Sequence, residues 1–169
     1  MTLVTVARRM PFRPADLYAI IVNVEAYQEF LPLCGHSRVW NRSVDGAGVE
    51  RFCAELSITY DRLAISERLR CDVVADPRAL TVTAASRDGP VRRLDNRWAL
   101  EAVPEGTDVI FRLDYVMASR MLQFLLSGLF DYAMRKIMTA FEERARTLLT
   151  AVAVEHSSGA DGAARHAST

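Results

Sequence analysis

VEAYQEFLPLCGHSRVW, residues 24–40, sets Tyr27, Phe30, Leu31 and Leu33 around Pro32 and then drops into Cys34-Gly35. Upstream, ADLYAIIVNV places Leu17, Ile20, Ile21 and Val24 at helical spacing, with Asp16 expected near its N-terminal cap, and a second short turn runs through Ala26 to Leu31. Pro32 removes a backbone donor and stops that turn. Downstream the apolar period becomes two. The stretch is thus where helix gives way to sheet, and it is apolar where a connection is usually polar.

On its far side each segment reads as a strand with one dry and one wet face. VERFCAELSIT alternates Phe52, Ala54, Leu56 and Ile58 against Arg51, Cys53, Glu55 and Ser57. RLAISERLRCDVV sets Leu63, Ile65, Leu69, Cys71 and Val73 against Arg62, Ser66, Arg68, Arg70 and Asp72. RRLDNRWALEAV sets Leu94, Trp98, Leu100 and Ala102 against Arg93, Asp95, Arg97 and Glu101, and TDVIFRLDYVM sets Val109, Phe111, Leu113 and Tyr115 against Arg112 and Asp114. Asp45-Gly46-Ala47-Gly48, Asp76-Pro77, Asp88-Gly89-Pro90 and Pro104-Glu105-Gly106 supply turn chemistry between them. Regular spacing of such turns describes a meander of antiparallel hairpins, with no parallel βαβ unit.

Two elements flank this block. TLVTVARRM (2–10) is β-branched and broken by Pro11 and Pro14, so it predicts a strand. A single helix is predicted from about Ser119 to Val152, with Gly128 inside it allowing a kink or close packing. Its stripe comprises Leu122, Leu125, Leu126, Leu129, Phe130, Ala133, Met134, Ile137, Met138, Phe141, Ala145, Leu148 and Leu149. At roughly 1.5 Å per residue it would be on the order of 50 Å long. The order of elements predicts an α+β fold, one domain over 1–152, in which an open, twisted antiparallel sheet wraps the last helix. Residues 153–169, which end in EHSSGADGAARHAST, read as a disordered tail.

Composition narrows the function. The 169 residues carry 21 Lys plus Arg and 21 Asp plus Glu, so no global field draws the chain to nucleic acid, and no specific DNA partner is expected. Arg8-Arg9, Arg68, Arg70, Arg92-Arg93, Arg144 and Arg146 read as solvated faces. Cys34, Cys53 and Cys71 are too far apart for a CxxC site, which predicts free thiols, no metal and a reducing compartment. No secretion signal or membrane-spanning run is read, so a cytoplasmic location is expected.

Catalysis finds few groups. His156 and His166 fall in the tail, leaving His36, which is placed to reach Cys34 but reads more simply as a surface turn histidine. Glu142 and Glu143 are adjacent on a helix and diverge, and no phosphate-binding glycine loop occurs. The expectation is a non-enzyme with no catalytic residues and no required cofactor. Large inward residues (Phe52, Trp98, Phe111, Tyr115, Phe130, Phe141) beside small or flexible ones (Ala54, Ala84, Met134, Met138) fit either a filled core or a cavity.

The string from Val24 to Cys34, then Ser37-Arg38-Val39, Asp88-Gly89-Pro90 with Leu94 and Trp98, Phe111-Arg112-Leu113-Asp114-Tyr115 and Ala140-Phe141-Glu142-Glu143-Arg144-Ala145 resembles the coenzyme Q-binding START-domain proteins. These are grouped with the polyketide cyclase-like helix-grip proteins and include the bacterial ribosome-association toxins. The resemblance runs from about residue 2 to 150. Asn23 and Gln28 depart from the Asp and Pro usual in that family.

The resemblance implies a helix-grip, START/Bet v 1-like fold with an apolar tunnel for ubiquinone or a related prenyl lipid, serving respiration as carrier or chaperone. Tyr27, Phe30, Leu31, Leu33, Phe52, Trp98, Phe111, Tyr115, Phe130, Met134 and Met138 are the expected ligand contacts. Tyr27, Phe30, Leu31 and Leu33 would form the lip, against the alternative of a hydrophobic staple between helix and sheet. A ribosomal subunit is the expected partner under the toxin-like alternative, inhibition of translation, and polyketide cyclisation or dehydration is a third reading. Under the lipid reading the membrane surface is a further expected partner, with peripheral attachment at the inner membrane.

Overall fold

The computed structural model describes residues 2–160, and side chains through residue 149. Seven strands, β1 (Thr2–Met10), β2 (Cys34–Val44), β3 (Glu50–Tyr60), β4 (Ile65–Asp76), β5 (Thr81–Ser86), β6 (Val91–Val103) and β7 (Gly106–Met117), make one curved antiparallel sheet in the order β1-β7-β6-β5-β4-β3-β2. β2 to β7 are successive hairpins, as the turn chemistry predicts. β1 pairs with β7 from Thr2↔Tyr115 to Met10↔Thr107, so the first strand lies beside the last.

Between β1 and β2 lie α1 (Pro14–Val22), a 3-10 turn at Val24–Ala26 and the single turn α2 (Tyr27–Phe30). Asp16 does not cap α1. Pro14, pre-set for the first helical position, starts the helix earlier, and Asp16 instead accepts a hydrogen bond from Arg13 Nε at 3.0 Å. α1 buries Leu17, Tyr18 and Ile21 and packs on β5 and β6.

The last helix is two helices, α3 (Arg120–Leu126) and α4 (Phe130–Ala160). Ser119 caps α3 by accepting from the backbone N–H groups of Met121 and Leu122. At its other end the Ser127 hydroxyl donates to the Phe124 carbonyl at 2.9 Å, next to Gly128. That competing bond and the glycine's low helix propensity interrupt the ladder. A Cβ at Gly128 would meet open space, so a break, rather than close packing, is what this glycine serves. One consequence is that Leu125, assigned by periodicity to the buried stripe, is 39% exposed. α4 runs to Ala160, past the end expected at Val152, and residues 161–169 of the expected tail lie outside the described residues.

Alternation predicts the concave face well, with Phe52, Ala54, Leu69, Val73, Trp98, Leu100, Val109, Phe111, Leu113 and Tyr115 all buried. Two positions differ. Leu63 and Ala102 are exposed, Leu63 because it lies in a 3-10 turn (Asp61–Leu63) outside the ladder. Glu55, on the wet face, is only 4% exposed.

Candidate functional site

The opening stretch resolves into two parts. Tyr27 is buried and donates its hydroxyl to the Ile21 carbonyl, and burial pushes that hydroxyl's pKa well up. Its ring meets Phe30 and Phe141 edge-on, at centroid distances of 5.9 and 5.3 Å. Tyr27 therefore staples α2 to α4. Gln28 fastens the other side: its Oε1 accepts from Ser37 N at 3.4 Å, while Ser37 Oγ donates to the Glu25 carbonyl at 2.9 Å. Leu31, ahead of Pro32, is extended and half-buried. Leu33 turns outward at φ 65° and is 37% exposed.

Rings continue inward from the staple. Phe30 contacts Phe141 at 5.2 Å, Phe141 contacts Trp98 at 4.9 Å, and Trp98 contacts Phe111 at 4.6 Å. Tyr115 stacks on Phe130 at 4.2 Å. Edge-to-face and offset pairs of this kind add to the burial of their area. Of the eleven expected contacts, Tyr27, Phe30 and Trp98 thus meet at Phe141, which periodicity placed on the helix stripe but outside the ligand set, and Phe111 follows through Trp98. Phe52 and Met138 are core residues, 2% and 1% exposed.

Of the others, Tyr115 is sealed in the core, while Leu31, Phe130 and Met134 are half-buried. α1 packs on β5 and β6, and α4 on β1, α1 and α2. On the concave side of β3, β4 and β5, Leu56, Ile58, Cys71 and Ala84 are only half-buried against the core, as are Phe130, Met134 and Ile137 on α4. The register continues this row: Ile58 pairs with Cys34 of β2, and Ala54 with Cys71 of β4. Cys34 and Leu33 then line a surface pocket of about 300 Å³ with Thr59, Tyr60, Asp61 and Arg62. That volume is at the small end for a ligand site. Leu33 is the member of the expected ligand set that lines it.

Asn96 was not singled out by sequence. It follows Leu94 and precedes Trp98 on the inward face of β6, opposite Ala84 of β5 and Leu113 of β7. Its Oδ1 is sealed from solvent without a hydrogen-bond partner. A buried acceptor of that kind leaves an unmet interaction worth about 1–3 kcal/mol. The signal lay in the sequence as the one polar residue at an inward position of a strand otherwise apolar there.

Cys34 and His36 do not form the pair that their spacing allows. Cys34 Sγ points to the His36 carbonyl at 3.6 Å, and His36 Nδ1 faces Gln28 Oε1 at 3.1 Å, so the imidazole and the thiol do not meet. Burial pushes the Cys71 thiol up to about 12, which keeps it protonated and unreactive.

On the convex face the arginines are mostly neutralised. Glu55 bridges Arg38 and Arg70 at 3.0 and 2.8 Å across three strands, and Arg93 ties Asp95 to Asp114. The Arg70 and Arg38 guanidiniums hold the Glu55 carboxyl down at about 2. Arg97 and Arg112 are different. They lie directly opposite each other on β6 and β7, both exposed, with no ion pair among the described residues. Thr83 and Thr5 extend the row on either side.

Comparison with known proteins places the fold and the family. A mitochondrial coenzyme Q-binding protein of Schizosaccharomyces pombe is 30% identical over 142 residues, covering 83% of this chain and 84% of that protein. The ribosome association toxin RatA of Rickettsia prowazekii is 24% identical over 141 residues, covering 83% and 93%. A START superfamily protein from Mycobacterium smegmatis superposes with a TM-score of 0.71 at 16% identity over 86% of this chain and 98% of its own, which establishes the helix-grip fold. The family model for polyketide cyclase / dehydrase and lipid transport matches residues 10–142, so the chain belongs to that family.

Proposed function

We propose that the chain binds an apolar ligand, an isoprenoid quinone such as ubiquinone or a related prenyl lipid, and carries it without chemical change. The observation that carries this reading is the half-buried apolar row Leu56, Ile58, Cys71 and Ala84, on the same concave sheet face as the aromatic chain and running to the pocket at Leu33. A ligand there would complete the burial of side chains that the fold leaves part-wet, at roughly 25 cal/mol per Å² of apolar area removed from water. The unpaired Asn96 Oδ1 can only accept, so it would meet a headgroup that carries a hydroxyl, such as the quinol form or a prenyl alcohol. The coenzyme Q-binding relative supports the ligand class, and the separation of Cys34 from the His36 ring supports a carrier over a hydrolase or cyclase.

The test is native mass spectrometry of protein purified from its own host, with organic extraction of the bound material. One prenyl quinone per chain is the expected result. Empty protein that also takes up no quinone from liposomes overturns the reading.

One observation favours a second reading, association with a ribosomal surface, as the name of the toxin relative describes for that protein. The unpaired Arg97 and Arg112 oppose each other at a position where like charges destabilise a sheet, and a phosphate of RNA would relieve the repulsion. Cosedimentation with ribosomal subunits, with and without Arg97→Glu, tests it.

A further inference from the structure

α3 is apolar on two sides. Leu122 and Leu126 are half-buried against the core, whereas Met121, Phe124 and Leu125, at i, i+3 and i+4, face out at 70%, 81% and 39% exposure. Just past the break, Tyr132 is 60% exposed. Large apolar side chains gathered like this on a surface mark an interaction site.

The exposure is built in. Ser119 caps the helix, and Gln123 latches it to the sheet, with Oε1 accepting from Met117 N at 3.2 Å and Nε2 donating to Thr2 Oγ1 at 3.3 Å. α3 is thus held with Phe124 pointing outward. A helix of seven residues has little stability of its own, so these anchors fix which face is offered.

Charge says what the face meets. Residues 118–138 carry Arg120, Arg135 and Lys136 against a single carboxylate, Asp131, all exposed, in a chain whose overall charge is zero. Lys136 Nζ sits 5.1 Å over the Tyr132 ring, an amphipathic pair of the kind found at membrane interfaces. A second copy is a poor occupant, because two-fold pairing would bring the same cations together. Residues 161–169, DGAARHAST, contain no large apolar side chain to cover Phe124.

We propose that α3 and the first turns of α4 dock on an anionic lipid surface. Met121, Phe124 and Leu125 enter the boundary between headgroups and acyl chains, and Arg120, Arg135 and Lys136 meet lipid phosphates. The docking goes beyond the carrier reading and stands whether or not the ligand is a quinone.

The full chain is floated with vesicles of equal parts phosphatidylglycerol and phosphatidylcholine, and with phosphatidylcholine alone, at low and high salt. Binding to the anionic vesicles that weakens with salt is expected. Met121→Ser with Phe124→Ser should lower it about tenfold or more, given the apolar area lost. Their melting temperature should stay unchanged because both side chains are exposed. In a Phe124→Trp variant, emission should shift to the blue and be quenched by brominated acyl chains. No flotation, equal flotation on both vesicles, flotation unchanged by the double substitution, or unquenched emission overturns the proposal. So does a protein ligand that wild type retains and the double variant loses while neither binds vesicles.

Discussion

Trp98 on β6 and Phe141 on α4 meet at 4.9 Å with their ring planes 65° apart, and this contact joins the centre of the sheet to the helix that crosses it. Phe141 also touches Tyr27 and Phe30, so one helical side chain connects sheet, α2 and α4. Trp98→Ala should cost roughly 3–5 kcal/mol, because the surrounding rings cannot close over the void. Phe141→Ala should cost a similar amount. The double variant should lose less than their sum by about 1 kcal/mol, the part specific to the ring pair, measured by urea denaturation.

Filling the half-buried row should separate ligand binding from folding. Ala84 is small, half-buried and opposite Asn96. Ala84→Phe should abolish quinone uptake from liposomes while the protein still melts cooperatively, within about 3 kcal/mol of wild type. Uptake unchanged in a folded Ala84→Phe protein would place the ligand elsewhere.

Glu55 predicts an acid limb. Its carboxyl is held at about 2 in the folded chain against an ordinary value of 4.5, by Arg70 first and Arg38 second. A group depressed on folding stabilises fully above its unfolded value, and that contribution is lost as pH falls from about 4.5 through about 2. Glu55→Gln should flatten the melting-temperature profile in that window. At neutral pH it should lower stability, since two arginines then face an uncharged amide.

Gly106 opens β7 at φ 143°, and a Cβ there would fall on the Met10 carbonyl oxygen and lie 2.9 Å from Pro11 Cα. Next to it, Thr107 Oγ1 donates to the Phe12 carbonyl at 2.7 Å, clasping the exit of β1. Gly106→Ala should cost about 1–3 kcal/mol from backbone strain alone, with steric displacement of the β1 exit adding to it, read as a lower urea midpoint.

The facing Arg97 and Arg112 give the ribosome reading its own outcome. Arg97→Glu with Arg112→Glu should leave quinone uptake intact, since both lie on the convex face. Subunit cosedimentation lost in that variant supports the second reading, and cosedimentation retained removes these two residues from it. Arg93 is a poorer probe, because it already holds Asp95 and Asp114.

Alternation and turn residues, read along the chain, determined β1, β3, β4, β6 and β7, the antiparallel hairpin order and most of the concave core. These signals are local: each strand records by its own period which face is dry, and each Asp-Gly or Pro-Glu-Gly records where the chain reverses. Tertiary structure decided the rest. Tyr27 and Leu33 look alike in sequence, yet one is stapled against Phe141 and the other exposed at a pocket, because a left-handed residue after Pro32 turns the chain outward. Leu69 and Cys71 share a strand face, yet only Leu69 is fully buried. Periodicity reports the face of a strand and not what lies over it. The site depends on where α1, α3 and α4 cross the sheet, and contacts between residues far apart in the chain set those crossings.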